Sequence, residues 1–332
     1  MDSGPWKGCE QLSYHSALRL FRWSGTAQGS KIGGMCLVAV AWKVHPRWRL
    51  LMAGNRDEFH ARPTAPLALW PEPAGIRAGR DLQSGGTWVG IETRGRVAVV
   101  TNVRDPLAQT ISGPSRGALP VGFLQGIDPD AARHARDLAA SARDYSPFNL
   151  LIADADSCEY IGNHPVLEHR TIAPGIHGMS NGGFDIPWPK TQRLCEAMLK
   201  WSETDATDPQ PLWRALADEH HADDAQLPDT GIGLELERKL SPAFIRDPIY
   251  GTRASTIIAI DYEGRGYISE RRFGPDGVFE GENALFNDAR FEGHRLHASA
   301  SPFRRTTAEI PRPTRSARVG DVAPTYGSGS IV

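Results

Sequence analysis

The sequence predicts an α+β protein in which antiparallel sheets are covered by helices, and three observations carry that prediction. Short apolar runs come in pairs: residues 36–42 and 50–53, joined by residues 43–49, leave a gap suited to a hairpin and too short for a parallel crossover. Pairs recur at residues 87–92 with 97–101 and at residues 148–153 with 157–161. Helix signals fall between these pairs rather than alternating with single strands.

In chain order, Cys36 opens the first run, and the tetrad Asn55, Arg56, Asp57, Glu58 ends the second. A hairpin therefore sets Cys36 beside Asn55, Arg56 and Asp57. The proline-rich stretch at residues 62–73 reads as an ordered loop, because proline cannot donate to a central ladder. The hairpin at residues 87–101 is led in by Gly85 and Gly86, which permit positive φ or close backbone approach to a ligand, and is followed by Asn102. Asp128 as N-cap, Pro129 at the first helical position and an alanine-rich run predict a helix. Met179 and Ser180 end a strand, Asn181-Gly182-Gly183 turns, and a helix begins near Trp188 or Pro189. Residues 203–235 are polar, with a short helix over 212–219; two further strands lie at residues 257–261, led in by residues 250–256 with Arg253, and at 267–271.

The chain of 332 residues has no low-complexity linker in its middle, so one domain over residues 35–295 is expected, with a tail at 296–332. Residues 1–34 fit poorly with the rest of the chain and read as a targeting segment or as a start assigned upstream of Met35. A net charge of −2 argues against nucleic acid or an anionic membrane as obligate partner. No apolar run is long enough for an integral membrane segment. The four cysteines, widely spaced and without C-x-x-C, suggest free thiols in a reducing, cytoplasmic setting. His164, His169 and His177 lack metal-ligand spacing, as do His220 and His221 beside Asp223 and Asp224, so neither metal nor cofactor is expected. The oligomeric state has no signature.

The candidate chemistry centres on Cys36. A thiol with a pKa of about 8.5 is only a few per cent ionised at neutral pH and needs a base and a positive neighbour. Were Met35 removed, the α-amine of Cys36, with a reference pKa of about 7.7 to 8.0, would serve as that base. Arg56 would then favour the thiolate and Asp57 orient the ammonium. The competing reading is a small buried residue that opens a strand. For Asn102 and Asn181 an oxyanion donor competes with a turn cap, and for Arg253 a clamp on a substrate carboxylate or phosphate competes with a structural ion pair.

MC at a strand start, GNRDEF, ARPT, GGTWVGI, VVTNVR, GMSNG and YGTRAST occur in that order. Together they resemble the NRDE family, also called the transport and Golgi organisation protein 2 family. The resemblance runs from about Met35 to about Phe273. It implies a four-layer αββα sandwich like that of the N-terminal-nucleophile (Ntn) hydrolases, with Cys36 as nucleophile, Asp57 as orienting carboxylate and Asn102 and Asn181 as oxyanion donors. Asn55, Arg56, Gly85, Gly86 and Arg253 would surround the substrate. In choloylglycine-type relatives of that fold an arginine lies three residues before the aspartate, where this chain has Gly54. The expected activity is hydrolysis or acyl transfer on a non-peptide amide or thioester. The alternative is a binding or trafficking protein that handles haem or an acyl compound.

Overall fold

The computed structural model describes residues 34–287 except 109–110, 127–129 and 205–206. β1 (Met35–Trp42) and β2 (Trp48–Phe59) form the first hairpin, followed by β3 (Thr64–Leu69), β4 (Ile76–Asp81), β5 (Val89–Glu92) and β6 (Val97–Asn102). Helices α1 (Ala118–Gln125) and α2 (Ala131–Ala139) lead to β7 (Phe148–Ala153), β8 (Cys158–Gly162), β9 (Glu168–Thr171) and β10 (Gly175–Met179). Helices α3 (Pro189–Ser202), α4 (Gln210–Leu216) and α5 (Leu234–Lys239) precede β11 (Tyr250–Asp261), β12 (Gly266–Phe273) and β13 (Phe279–Phe286).

The strands form two antiparallel sheets, one of six strands in the order β10-β1-β2-β11-β12-β13 and one of seven in the order β3 to β9. Residue parity builds the layers. Even residues of β1 and β2, such as Val38, Val40 and Met52, pack with Val89, Val99 and Leu151 of the other sheet. Odd residues Leu37, Ala39 and Leu51 pack instead against Leu194 and Met198 of α3 and Leu212 of α4. On the far side, Ala98, Leu150 and Ile152 meet Phe123 of α1 and Ala131 and Ala135 of α2. Three apolar seams between four layers give an αββα sandwich. Burial on both faces explains why β1 is continuously apolar rather than alternating.

Several elements differ from the sequence expectation. The Asn-Arg-Asp-Glu tetrad lies inside β2, not beyond its end, because β11 continues the ladder alongside it as far as Phe59. The proline-rich stretch contains the strand β3; Pro66 is tolerated there because β3 is an edge strand whose register breaks between Ala65 and Ala68. The cap of α2 is Asp130, whose carboxylate accepts from the Arg133 N–H, while Asp128 and Pro129 lie outside the described residues. Helix α4 ends at Leu216. Neither α1 nor β13 was expected. Residues 1–33 and 288–332, which contain most of the predicted extension and all of the predicted tail, are also outside the described residues.

Candidate active site

The β1–β2 register sets the site. Cys36 stands opposite Arg56 and Met35 opposite Asp57, so Cys36 shares the inter-sheet face with Arg56, and Asp57 shares the helix-facing side with Met35. Across β2, the register with β11 shifts between Thr252 and Ala254. Arg253 is the extra residue of this bulge, which turns its side chain toward the same region. Cys36, Arg56, Asp57, Asn102 and Arg253 all line one cavity of about 360 Å³ at the end of the inter-sheet seam.

Asp57 is fully buried. Its Oδ1 accepts from Thr252 Oγ1 at 2.7 Å, and its Oδ2 has no hydrogen-bond partner among the described residues. Burial raises its pKa to about 6, against the pull of Lys190 and the Thr252 hydroxyl. Burial likewise pushes the Cys36 thiol up to about 12, with Asp57 adding to the rise and Arg56 opposing it. Lys190, in the first turn of α3, donates to the Leu240 carbonyl at 3.0 Å and is lowered to about 8 by burial, with Asp57 the strongest opposing influence.

The backbone leading into Cys36 occupies part of the site. Asn102 Nδ2 donates to the Gly34 carbonyl at 2.5 Å, and the Met35 N–H donates to Tyr250 Oη at 2.8 Å. That hydroxyl lies 3.3 Å from the Asp57 carbonyl, to which it donates. The Met35 side chain fills an apolar pocket formed by Leu240, Ile245 and Tyr250.

Other expected site residues are placed elsewhere. Asn55 faces the helices: its Nδ2 donates to the carbonyls of Leu216 and Ala243 at 2.8 and 2.7 Å, and its Oδ1 accepts from Ser255. Leu216 is the last residue of α4, so Asn55 satisfies one of that helix's orphan carbonyls. Asn181 donates its side-chain amide to the Asn102 carbonyl at 2.9 Å, one step behind the cavity wall. Gly85 and Gly86 do not line the cavity. Gly85 has φ of +77°, and a Cβ on Gly86 would lie 2.4 Å from the Gly117 backbone, so the close approach there is to another loop of the chain. Arg253 lines the cavity but commits Nη1 to the carbonyls of Phe59, His60 and Arg62, between 3.0 and 3.2 Å.

Sequence reasoning missed Lys190, Tyr250 and Arg116. Lys190 carried a usable signal, because it falls on the apolar stripe of α3 with Leu194, Met198 and Trp201. Arg116, from the loop before α1, carried none. His164, His169 and His177 each pair with a carboxylate at 2.9 Å, and no group of three metal-ligating side chains occurs among the described residues. No helix among the described residues is long and apolar enough to cross a membrane.

The αββα layering, with a cysteine at the head of the first strand of the central hairpin, defines an Ntn-hydrolase-like fold. Solved structures similar to this chain include a mutant of the conjugated bile acid hydrolase of Clostridium perfringens, at TM-score 0.43 and 8% identity over 78% of this chain and 93% of that one. An N-acylethanolamine-hydrolyzing acid amidase orthologue of Caenorhabditis elegans aligns at TM-score 0.35 and 11% identity, over 69% of this chain and 93% of that one. Residues 35–275 match the family model for Transport and Golgi organisation 2, and the chain belongs to that family. The Transport and Golgi organization protein 2 homolog of Bos taurus is 34% identical over 71% of this chain and 92% of its own length. The Homo sapiens homolog is 32% identical over the same shares.

Proposed function

We propose that the protein is a cysteine hydrolase or acyltransferase of the Ntn type, acting on a non-peptide amide or a thioester once the chain begins at Cys36. The observation that carries this reading is the unpartnered, buried Oδ2 of Asp57 on the strand next to Cys36. A buried carboxylate oxygen without a partner is costly, roughly 1 to 3 kcal/mol or more, and an ammonium at the terminus of the neighbouring strand is the group that would satisfy it. The α-amine of Cys36 would take the thiol proton, the sulfur would attack the carbonyl carbon, and water would release the acyl group. Asn102 would then be free of the Gly34 carbonyl and could donate to the developing oxyanion, an interaction worth about 2.7 to 4 kcal/mol of barrier. Asn181 acts as a positioning residue through the Asn102 carbonyl.

Intact-mass analysis of the natural protein and of Cys36→Ala after incubation with an S-acyl probe tests this. An adduct on the natural protein that is lost in Cys36→Ala is expected. An adduct that persists in Cys36→Ala, or a chain starting at Cys36 that gains none, removes the reading.

The second reading, a binding or trafficking protein without turnover, is favoured by one observation: with Met35 attached, Cys36 is a buried residue inside β1 that has no free amine of its own. No histidine among the described residues lines the cavity, so of those residues Cys36 is the one that would serve haem as axial ligand. Haem titration separates the readings, because an unchanged Soret band at micromolar haem speaks against trafficking of haem.

A further inference from the structure

The cavity wall is dense in arginine: Arg56, Arg62, Arg80, Arg116, Arg253 and Arg272 all line it. Most of that charge is already spoken for. Arg56 and Arg62 form a four-membered cluster with Glu58 and Asp81, in which Arg62 Nε meets Asp81 at 2.5 Å and Arg56 Nη2 meets Glu58 at 3.4 Å and Asp81 at 3.6 Å. Two cations and two anions cancel there. Arg80 lies over the Trp70 ring at 4.3 Å and donates Nε to the Gly85 carbonyl. Arg253 spends Nη1 on carbonyls and has Glu280 as an opposing charge. Arg272 lies two residues from Glu270 on β12 and so shares a face with it.

Arg116 is different. Its guanidinium donates Nη1 to the Pro147 carbonyl at 3.1 Å and makes no ion pair with a carboxylate among the described residues. A guanidinium presents five N–H donors in a planar fork, so most of this one is uncommitted. Burial holds its pKa below the ordinary arginine value, opposed by the Cys36 sulfur and then by Glu58, a carboxylate that already pairs with Arg56 and Arg62. A second arginine lines the same space: Arg56 is 8% exposed and stands opposite Cys36 in the strand register, and its Nη1 has no partner among the described residues. A largely buried guanidinium with no ion-pair partner among the described residues, in a cavity that also holds Arg56 and Cys36, is costly and is relieved by an anionic ligand.

We infer that the cavity binds an acyl compound carrying an anionic group, a carboxylate or a phosphate, a few bonds from its carbonyl, with the cavity-lining guanidiniums of Arg116 and Arg56 as the anion anchor. Planar guanidinium forks match the oxygens of both anions. The anchor rests on the arginine geometry alone, whereas the reactive step rests on the acyl-transfer reading above. In that step the Cys36 sulfur bonds to the carbonyl carbon, the C–N bond breaks, and the departing amine nitrogen takes the proton. Water then attacks the thioester, giving the carboxylic acid and regenerating the thiol. The anion stays on the departing amine, held by the arginines.

Calorimetry on full-length Cys36→Ala tests the anchor without any turnover. N-octanoyl-β-alanine is compared with its neutral primary amide, and N-octanoyl phosphoethanolamine with N-octanoylethanolamine. At least one anionic member is expected to bind ten-fold or more tightly than its neutral partner, and the tighter of the two identifies carboxylate or phosphate as the recognised group. Arg116→Gln is expected to reduce anion binding to the neutral level, while Arg143→Gln on the exposed surface leaves it unchanged. Equal binding within each pair overturns the inference, as does the absence of measurable binding at millimolar concentration or an undiminished preference in Arg116→Gln. The matched compounds need no arginine variant, so a folding failure in Arg116→Gln leaves the comparison intact. Intact mass of the natural protein with the same compounds reads the other proposal separately: anion preference without a Cys36 adduct ends the acyl-transfer reading and leaves the anchor standing.

Discussion

The two faces of β2 carry consecutive residues with opposite tasks. Toward the helices, Asn55 and Asp57 are both completely buried, and Asn55 has every polar atom of its side chain committed to backbone or to Ser255. Toward the other sheet, Arg56 and Glu58 line a cavity and share their charges loosely, with each other at 3.4 Å and with Asp81 and Arg62 at 3.6 and 3.7 Å. One strand thus fixes a helix end with its odd residues and shapes a binding space with its even ones. Asp57 belongs to both, since it is buried with Thr252 yet has an oxygen left over beside the thiol.

The largest effect expected from breaking this division comes from removing what precedes Cys36. With Met35 attached, a thiol held at about 12 is ionised at pH 7.5 to the order of one part in 10⁴ or less. Exposing a terminus beside Asp57 and Arg56 should restore an ordinary thiol, whose pKa of about 8.5 raises the ionised fraction on the order of 10³-fold. Iodoacetamide alkylation and subsequent mass spectrometry, comparing the chain beginning at Met1 with one beginning at Cys36, measures it. Equal rates would show that the preceding residues do not silence the sulfur.

Next in size is Asn55→Ala, which acts on the helix-facing side alone. It strands the Leu216 and Ala243 carbonyls and the Ser255 hydroxyl, at about 1 to 3 kcal/mol for each buried group left unsatisfied. A loss of about 3 kcal/mol or more in denaturant unfolding is expected, with anion binding by the folded fraction unchanged. A comparable loss of binding affinity in that fraction would place Asn55 in the site itself.

Asp57→Asn sharpens the comparison through pH. The native pKa of about 6 lies above the usual carboxylate value of 3.8, so between these values the native state binds a proton that the unfolded state has lost. Stability contributed by the protonated form is therefore present below about 4 and lost as pH rises through 6. The loss above that range is about 3 kcal/mol. Asparagine cannot ionise, so Asp57→Asn should gain about 1 to 3 kcal/mol relative to the natural chain at pH 7.5, and the advantage should vanish near pH 4. Urea unfolding at the two pH values reads both. A stabilised protein that no longer acylates would fit a residue kept for chemistry at the expense of stability.

How much of this was legible in the sequence depends on the range of each interaction. Hairpins declared themselves because their turns and apolar runs are contiguous, and the β1–β2 pairing placed Cys36 beside Arg56 and Asp57 correctly. Which face each tetrad residue takes was not legible, since the ladder with β11 that extends β2 through the tetrad joins residues about 200 apart in the chain. The bulge that turns Arg253 inward is likewise a property of that pairing and not of YGTRAST alone. Strand β3 was concealed by prolines that only an edge position allows. Arg116 gave no local signal at all, because its significance lies in the carboxylate it lacks once the loop before α1 folds over the cavity.

The smallest expected stability effect comes from the even face, and it is the sharpest contrast with Asn55. Arg56→Gln removes a buried cation, a change that commonly costs about 3 to 5 kcal/mol when it leaves an acid uncompensated. Here it does not. Arg62 remains 2.5 Å from Asp81 and 3.7 Å from Glu58, so both acids keep a cationic partner, and the orphaned Nη1 disappears along with the charge. The expected loss is therefore about 1 kcal/mol or less in urea unfolding, in the range of a partly exposed pair. Anion binding in the Cys36→Ala background should fall together with it, about ten-fold, because a cavity-lining guanidinium is gone. A stability loss as large as that of Asn55→Ala with binding intact would invert the assignment of the two faces. The even residues would then hold the fold together, and the space beside the thiol would owe its anion preference to Arg116 alone.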